Sequence, residues 1–512
     1  MVVRLVSGDV FGIEGRAVDV EVALLKALHS FVVTGLAGKG IRESRERVRS
    51  AIVSCGLPYP DNRRVVVNLA PATWEKDGCV FDLAIALGIL IQNDQMTASG
   101  CWGVLGELSL DGSVRPVPGI LGMVAALRDA GVARVLVPAG ALAEAAAVPG
   151  VRVIGVGGLR AAIDVMEGSC SGIAPAAPTV VDAAPPTLPD FSEVIGHERI
   201  KRAFAVAAAG GHNVLLVGPP GAGKTLLARR LPALLPPMSS EEQRIVTQIH
   251  SAAGLGAGDG LLLQRPFRSP HHTVSWAGLV GGGSMPRPGE VTLAHRGVLF
   301  LDELPEFPRS SLEALREPLE GGQITIARSR ATLTFPADFL LVAAMNPCPC
   351  GHAMSRKRVC ECRPDRIRKY IEKVSGPLLD RIDMRLEVQS VPGHELLQSA
   401  TRSPGDTAAL RQSVRTATDF RIKAGRQCAN CALEWADRAS WAQLTRPAED
   451  LLRVTSDELD LSTRSLTRML RLARTIADID EVGRLEERHI LEAVEYHSPR
   501  SGGSFLRWLA AH

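Results

Sequence analysis

The stretch LLVGPPGAGKTLLARRL, residues 215–231, decides the fold. Apolar strand formers run directly into a glycine-rich loop, and a lysine, a threonine and an amphipathic helix follow. Gly218, Pro219, Pro220, Gly221, Ala222, Gly223, Lys224 and Thr225 satisfy the spacing G-x-x-x-x-G-K-[ST]. Glycines there let backbone N–H groups turn toward phosphate oxygens. The lysine reaches the β and γ phosphates, and the threonine hydroxyl serves Mg²⁺ at a helix N-terminus. NVLLV, residues 213–217, supplies the buried strand that this motif must follow. The competing reading is a glycine-rich strand-to-helix turn that binds nothing, and the flanking strand and helix weigh against it. ATP and Mg²⁺ are the expected cofactors.

A nucleotide pocket needs a second strand that carries acids. GVLFLDE, residues 297–303, ends in Asp302 and Glu303. Asp302 is expected to hold Mg²⁺ with Thr225, and Glu303 to orient and deprotonate the attacking water. FLLVAAMNP, residues 339–347, reads as another buried strand, ending in Asn346, a polar group suited to positioning that water. SGPLLDRIDMRLEV, residues 375–388, offers Arg381 beside two acids. In STRSLTRMLRLAR, Arg464, Arg468 and Arg471 share one helix face. Such a stripe also fits a solvated or acid-paired face, and its position alone does not decide.

The rest of the chain frames this pocket. At 512 residues the chain exceeds what one core normally organises, so two or three domains are expected. A hydrophobic content of 46% with 22% charged residues is ordinary globular usage. The net charge of +3 neither demands nor excludes a polyanionic partner, so any nucleic-acid contact must be local. No apolar run approaches the roughly 18 residues of a membrane span, and MVVRLVSGDVFGIEG lacks a signal peptide's apolar core. A cytoplasmic location is the expectation, and the ten cysteines then read as reduced thiols or metal ligands. SCSGIAPAAPTVVDAAPPTLPD, from residue 169, is rich in Ala and Pro and reads as a semi-rigid linker. Before it, RVVVNLAPA and ARVLVPAG read as strands, VFDLAIALGILIQ and GILGMVAALRDAG as helices. LSTRSLTRMLRLARTIADI is the strongest helix after it, with Ser462 as N-cap.

The series Gly218, Asp302, Glu303, Asn346, Arg381, Arg464 resembles the chain order of an AAA+ ATPase. More narrowly, PFRSPHHTVSWAGLVGGGSMPRPGEVTLAHRGVLFLDELPEF and AAMNPCPCG resemble the magnesium-chelatase-like ATPases of the YifB/ComM family over nearly the whole chain. The resemblance implies that Asn346 is sensor 1, Arg464 sensor 2, and Arg381 a finger reaching a neighbouring subunit's nucleotide. A ring, most simply a hexamer, follows from it. PATWEKDGCVFDLAIALGIL and LGELSLDGSVRPVPGILGMVAALRDAGV are similar to the serine- and lysine-bearing stretches of Lon protease's proteolytic domain. The positions of that dyad hold Val80 and Leu121, which can neither attack nor accept a proton. Lys76, Asp77 and Asp82 nearby read as surface or capping groups. The implied architecture is α/β: an S5/Lon-like α+β domain without a proteolytic dyad over 1–168 and a linker over 169–189. An AAA+ core, a P-loop NTPase of the magnesium-chelatase type, follows over 190–390, then a helical lid with sensor 2 over 391–512.

Three local signals bear on partners. QITIARSRATLTF, residues 323–335, reads as a β-hairpin with Arg328 and Arg330 near its tip. In helicases of the related minichromosome-maintenance group such a hairpin points into the channel; the plain alternative is an exposed hairpin made soluble by arginines. LVGGGSMPRPGE is a second flexible candidate insert. SRKRVCECRPDRIRKY, residues 355–370, holds seven Lys or Arg against two acids, a clustering suited to phosphate contacts. Aromatic residues are only 4% of the chain and few adjoin these runs, so a base-stacking platform is not indicated. Cys348, Cys350, Cys360 and Cys362 form a C-x-C…C-x-C array that suits a structural tetrahedral Zn²⁺ or stays four reduced thiols. Cys428 and Cys431 lack a partner pair, and His271 and His272 read as loop or interface residues.

These readings converge on an ATP-driven DNA-remodelling ring, a helicase or branch-migration motor in recombination or natural transformation, as the ComM resemblance implies. The alternative is the ATPase subunit of a chelatase that inserts Mg²⁺ into a tetrapyrrole. A third class, a scaffold that uses nucleotide only as a switch, is opposed by Glu303 and Arg381, whose placement suits turnover.

Overall fold

A computed structural model of the chain describes residues 2–28, 30–174, 189–256, 260–283, 285–328, 331–354, 358–391, 406–459 and 461–497. They fall into two compact units. The first takes residues up to 174 with 239–256, 260–263 and 285–288; the second takes 189–238, 264–283 and 289–497. Most of the expected linker, 175–188, lies outside the described residues.

The first unit is built on a seven-stranded mixed sheet. Its strands are β1 (Val3–Phe11), β2 (Glu14–Leu25), β3 (Ser30–Thr34), β4 (Arg64–Ala70), β5 (Gly103–Val104), β6 (Arg134–Pro138) and β7 (Arg152–Val156). They run in the order β3-β4-β2-β1-β5-β6-β7. β2 alternates, burying Val18, Val20 and Val22, as an antiparallel strand with one covered face must. The helix Asp82–Gln92 is apolar on nearly every side and lies inside the core.

The two positions that the resemblance to Lon sets against its dyad are apolar and inside the fold. Val80 and Leu121 are buried, and the Leu121 amide donates to Glu144 Oε1 at 3.3 Å. Two of the neighbouring groups are not on the surface. Lys76 is fully buried, its amine donating to the carbonyls of Gly35 (3.2 Å), Trp74 (3.1 Å) and Pro71. Asp82 is fully buried against Ser44 and Arg47, whose Nε lies 2.6 Å away. Full hydrogen bonding is what makes such burial tolerable. Asp77 is a capping group, accepting from the amides of Gly40 and Gly78.

The second unit carries a five-stranded, all-parallel sheet: β8 (Val214–Val217), β9 (Phe267–Arg268), β10 (Val298–Leu301), β13 (Leu340–Met345) and β14 (Met384–Glu387), ordered β9-β10-β13-β8-β14. β11 (Gln323–Ala327) and β12 (Thr332–Pro336) form a separate antiparallel hairpin. β8, β10 and β13 are buried end to end, which is why they read as unbroken apolar runs. Each fully buried Val or Leu there is worth roughly 1.5–3 kcal/mol. From residue 406 on, the described residues form four long helices, Asp406–Lys423, Arg446–Glu458, Thr463–Ile479 and Glu487–His497. The Ser462 hydroxyl caps the third of them by accepting from the Ser465 amide. This parallel α/β core with a helical C-terminal part is the expected class. Among the described residues no helix is long and apolar enough to cross a membrane.

The units do not follow contiguous boundaries. The helix Ser240–Ala252, with a capping box between Ser239 and Glu242, belongs to the first unit although it lies within 190–390. Its Ser251 carbonyl accepts from Gly119, and Gln248 donates to Ile13.

Candidate nucleotide site

Parallel strands bring their C-terminal ends to one edge, and the polar residues that follow them converge there. Thr225 comes from the loop after β8, Asp302 and Glu303 follow β10, and Asn346 follows β13. They line a cavity of about 410 Å³ with Pro220, Gly221, Ala222, Gly223, Lys224, Leu226 and Met345. Gly223 sits at φ +87 just before the helix Lys224–Ala228, a left-handed turn that glycine adopts without steric cost.

Lys224 is buried and curls over the loop. Its Nζ donates to Gly218 O at 2.7 Å, Pro219 O at 3.1 Å and Asn346 Oδ1 at 3.0 Å. Burial pulls its amine below the usual lysine range, while Asp302 and Glu303 act the other way. The Thr225 hydroxyl donates to Asp302 Oδ2 at 2.7 Å. A hydroxyl and a carboxylate that meet at a helix N-terminus are the oxygen donors Mg²⁺ takes, and the surrounding amides fit phosphate. Thr225 and Asp302 would hold the ion, and the ion would neutralise developing phosphate charge. Glu303 adopts φ +53, uncommon for a non-glycine residue, and its amide donates to Asp302 Oδ1 at 3.0 Å.

His272 was not legible as part of this site. Its Nδ1 lies 3.3 Å from Glu303 Oε2. The ring lies tilted against that of His271, centroids 4.1 Å apart, and meets the edge of Phe307 at 6.4 Å. Thirty residues of intervening chain hide that pairing, and the parallel pairing of β9 with β10 brings the two together.

The two arginines stand apart from the cavity lining. Arg381 pairs with Glu320 and donates to the Pro377 carbonyl. Arg464 Nη2 is 3.8 Å from the same Glu320 carboxylate. The stripe along that helix divides three ways: Arg468 is buried 3.6 Å from Asp383, Arg471 donates to Leu433 O at 2.7 Å, and Arg464 is exposed.

The hairpin β11–β12 forms over the expected residues, with Arg328 at its turn; Arg330 and residues 355–357 lie outside the described residues. Arg328 stacks over the Trp276 ring at 5.6 Å, and Trp276 is 37% exposed. An aromatic face therefore does adjoin the basic hairpin, contributed by a segment distant in sequence. Further along, Arg363 to Lys369 run into the helix Pro364–Ile371.

The four cysteines come together. The Sγ atoms of Cys348, Cys350, Cys360 and Cys362 all lie within 4.8 Å of one another, and Cys348 is fully buried. Backbone amides of Ala353 and Cys362 donate to the sulfurs of Cys348 (3.3 Å) and Cys360 (3.4 Å). The cluster is able to hold a metal.

Known proteins align with this chain along its length. The family model described as magnesium chelatase, subunit ChlI, matches residues 190–396; two further ChlI models match 20–141 and 405–497. The uncharacterized protein YifB of Escherichia coli (strain K12) is 41% identical over 494 residues, covering 95% of each chain. Competence protein ComM of Haemophilus influenzae is 37% identical over 496 residues, covering 95% of this chain and 96% of its own. The magnesium-chelatase 38 kDa subunit of Acidiphilium rubrum is 26% identical over 255 residues, 44% of this chain and 70% of its own. With its phosphate loop, acid strand and helical C-terminal part in place, the chain belongs to the YifB/ComM group of magnesium-chelatase-like AAA+ ATPases.

Proposed function

We propose that this ATPase is a DNA-remodelling motor that works as a ring, most simply a hexamer, and moves duplex or branched DNA during recombination of incoming strands. In this reading Lys224, Thr225 and Asp302 hold Mg-ATP, Glu303 is the general base and Asn346 positions the water. Arg381 completes the neighbouring subunit's site, and Arg464 contacts nucleotide from the helical lid. The four cysteines hold a structural Zn²⁺. Location in the cytoplasm fits this work.

The observation that carries the reading is the hairpin placed just before the sensor strand, with the Arg328 guanidinium over the exposed Trp276 ring. A cation and an aromatic face side by side suit a polynucleotide: one meets phosphate, the other a base. The basic helix Pro364–Ile371 adds cations, and similarity to a competence protein over the whole length agrees.

The test is ATP turnover with and without four-way or forked DNA across a salt series. Turnover should rise several-fold with DNA, and the stimulation should fall steeply between about 50 and 200 mM salt, as phosphate contacts do. Stimulation by a porphyrin and a chelatase partner, with DNA inert, would instead establish the chelatase reading.

A further inference from the structure

We infer that the four-cysteine site is a brace for the nucleotide pocket, so that metal occupancy sets nucleotide affinity although the metal never touches nucleotide. The inference rests on the reading that the cysteines hold a zinc-class ion and that the pocket binds ATP.

Four thiolates around Zn²⁺ at 2.3 Å stand about 3.8 Å apart. Here the Sγ separations are 3.3 Å for Cys348–Cys350 and 3.6 Å from Cys360 to each of them. The backbone N–H donors to sulfur offset thiolate charge, as second-shell partners of metal sites do. The two C-x-C arms are thus arranged to be closed by one ion.

Each arm leads to residues of the nucleotide site. The first begins two residues after Asn346, whose Oδ1 accepts from Lys224 at 3.0 Å. Its Gly351, at φ +80, lies so close to the phosphate loop that a Cβ there would stand 2.6 Å from Pro220 Cδ and 3.1 Å from Cγ. It would also stand 3.9 Å from Asn346 Cγ. The second arm leads into the helix Pro364–Ile371, whose buried Tyr370 hydroxyl faces the Asn346 backbone. Asn346 is therefore held from both arms, and Pro220 from one. Closing the arms on one ion fixes their separation. Opening them frees the sensor asparagine and the loop together, and the ordering that nucleotide binding then requires weakens affinity.

The experiment uses full-length protein, metal analysis by mass spectrometry and fluorescent-ATP titration. Wild type should carry one zinc per chain. Stripping it with a mercurial should weaken ATP affinity tenfold or more, and excess small-molecule thiol to take the mercurial off the cysteines, followed by Zn²⁺, should restore it. Tyr370→Phe and Gly351→Ala should keep the zinc yet weaken affinity several-fold; Tyr370→Phe should also keep the melting temperature, which separates the brace from loss of folding, whereas Gly351→Ala, strained at φ +80, should lower it. If wild type lacks zinc but binds ATP normally, both the metal reading and the brace fall. If zinc is present while both variants and the stripped protein bind ATP as wild type does, the metal reading stands and the brace is overturned. If the stripped protein unfolds, the two zinc-loaded variants decide. Should wild type bind no ATP at all, the nucleotide reading fails first.

Discussion

Glu303 illustrates what one residue demands of its surroundings. In the proposed role as general base it must be aimed as well as ionised, and this carboxylate sits on a backbone turned to φ +53 with its oxygen 3.3 Å from His272. Strain of that kind persists only where neighbours over-determine it, and it gathers at functional sites. Replacing Glu303 by Gln should leave nucleotide binding intact and lower turnover by about 10² to 10⁴, the range for general-base loss. His272→Ala should lower kcat about tenfold with ATP affinity unchanged, and His272→Asn, which keeps a donor, should recover part of it. Steady-state kinetics beside nucleotide titration checks both; a kcat unmoved in His272→Ala would remove the positioning role. Lys224, Thr225, Asp302 and Asn346 were readable because each belongs to a short pattern with a strand beside it. His272 was not, since its partner is reached only through the sheet. Lys76 misled for the opposite reason. A lone lysine reads as a surface group, and only the three carbonyls that receive its amine explain its burial.

The secondary-structure elements were the most legible level, because period and composition act locally. Unbroken apolar runs became the buried parallel strands, alternation became the hairpin β11–β12, and a serine before periodic leucines became the cap of Thr463–Ile479. What an element presents was harder to read. The hairpin's arginine was visible, yet the ring beneath it comes from Trp276, 52 residues earlier, and nothing local to the hairpin's sequence points to it. That pair separates two contributions to DNA binding. Arg328→Ala should remove about one phosphate contact, lowering the salt slope of log K by about 0.7 to 0.9. Trp276→Ala should weaken single-stranded DNA by about 1–3 kcal/mol, as loss of one stacked base does, with little change for duplex. Fluorescence anisotropy over a salt series distinguishes them, and equal losses on both DNAs from Trp276→Ala would rule out stacking.

Across the whole molecule, the chain order of motifs was visible while their long-range pairing was not. The capped helix Ser240–Ala252 shows in its sequence where it starts, but not that its apolar face is buried in the first unit rather than the nucleotide-binding one. Arg381 and Arg464 pose the same problem at the second unit's edge. Neither lines the nucleotide cavity, and both approach one carboxylate, Glu320. Two cations sharing a single acid leave an excess of positive charge that a neighbour's phosphates could satisfy. If Arg381 acts between chains, Arg381→Ala alone should cost about 10³ to 10⁵ in turnover, the range for supplied arginines. Lys224→Ala alone should be inactive because its own site cannot hold phosphate. Mixed in equal amounts, the two should regain about a quarter of wild-type turnover. One interface in four then joins an intact loop to an intact arginine, given closed rings with interfaces that act independently. Glu320→Gln should leave that complementation in place, since the carboxylate only occupies the arginines until a neighbour arrives. Turnover of the mixture that merely equals the sum of the two variants would place Arg381 within its own subunit's chemistry and remove the reason for a ring.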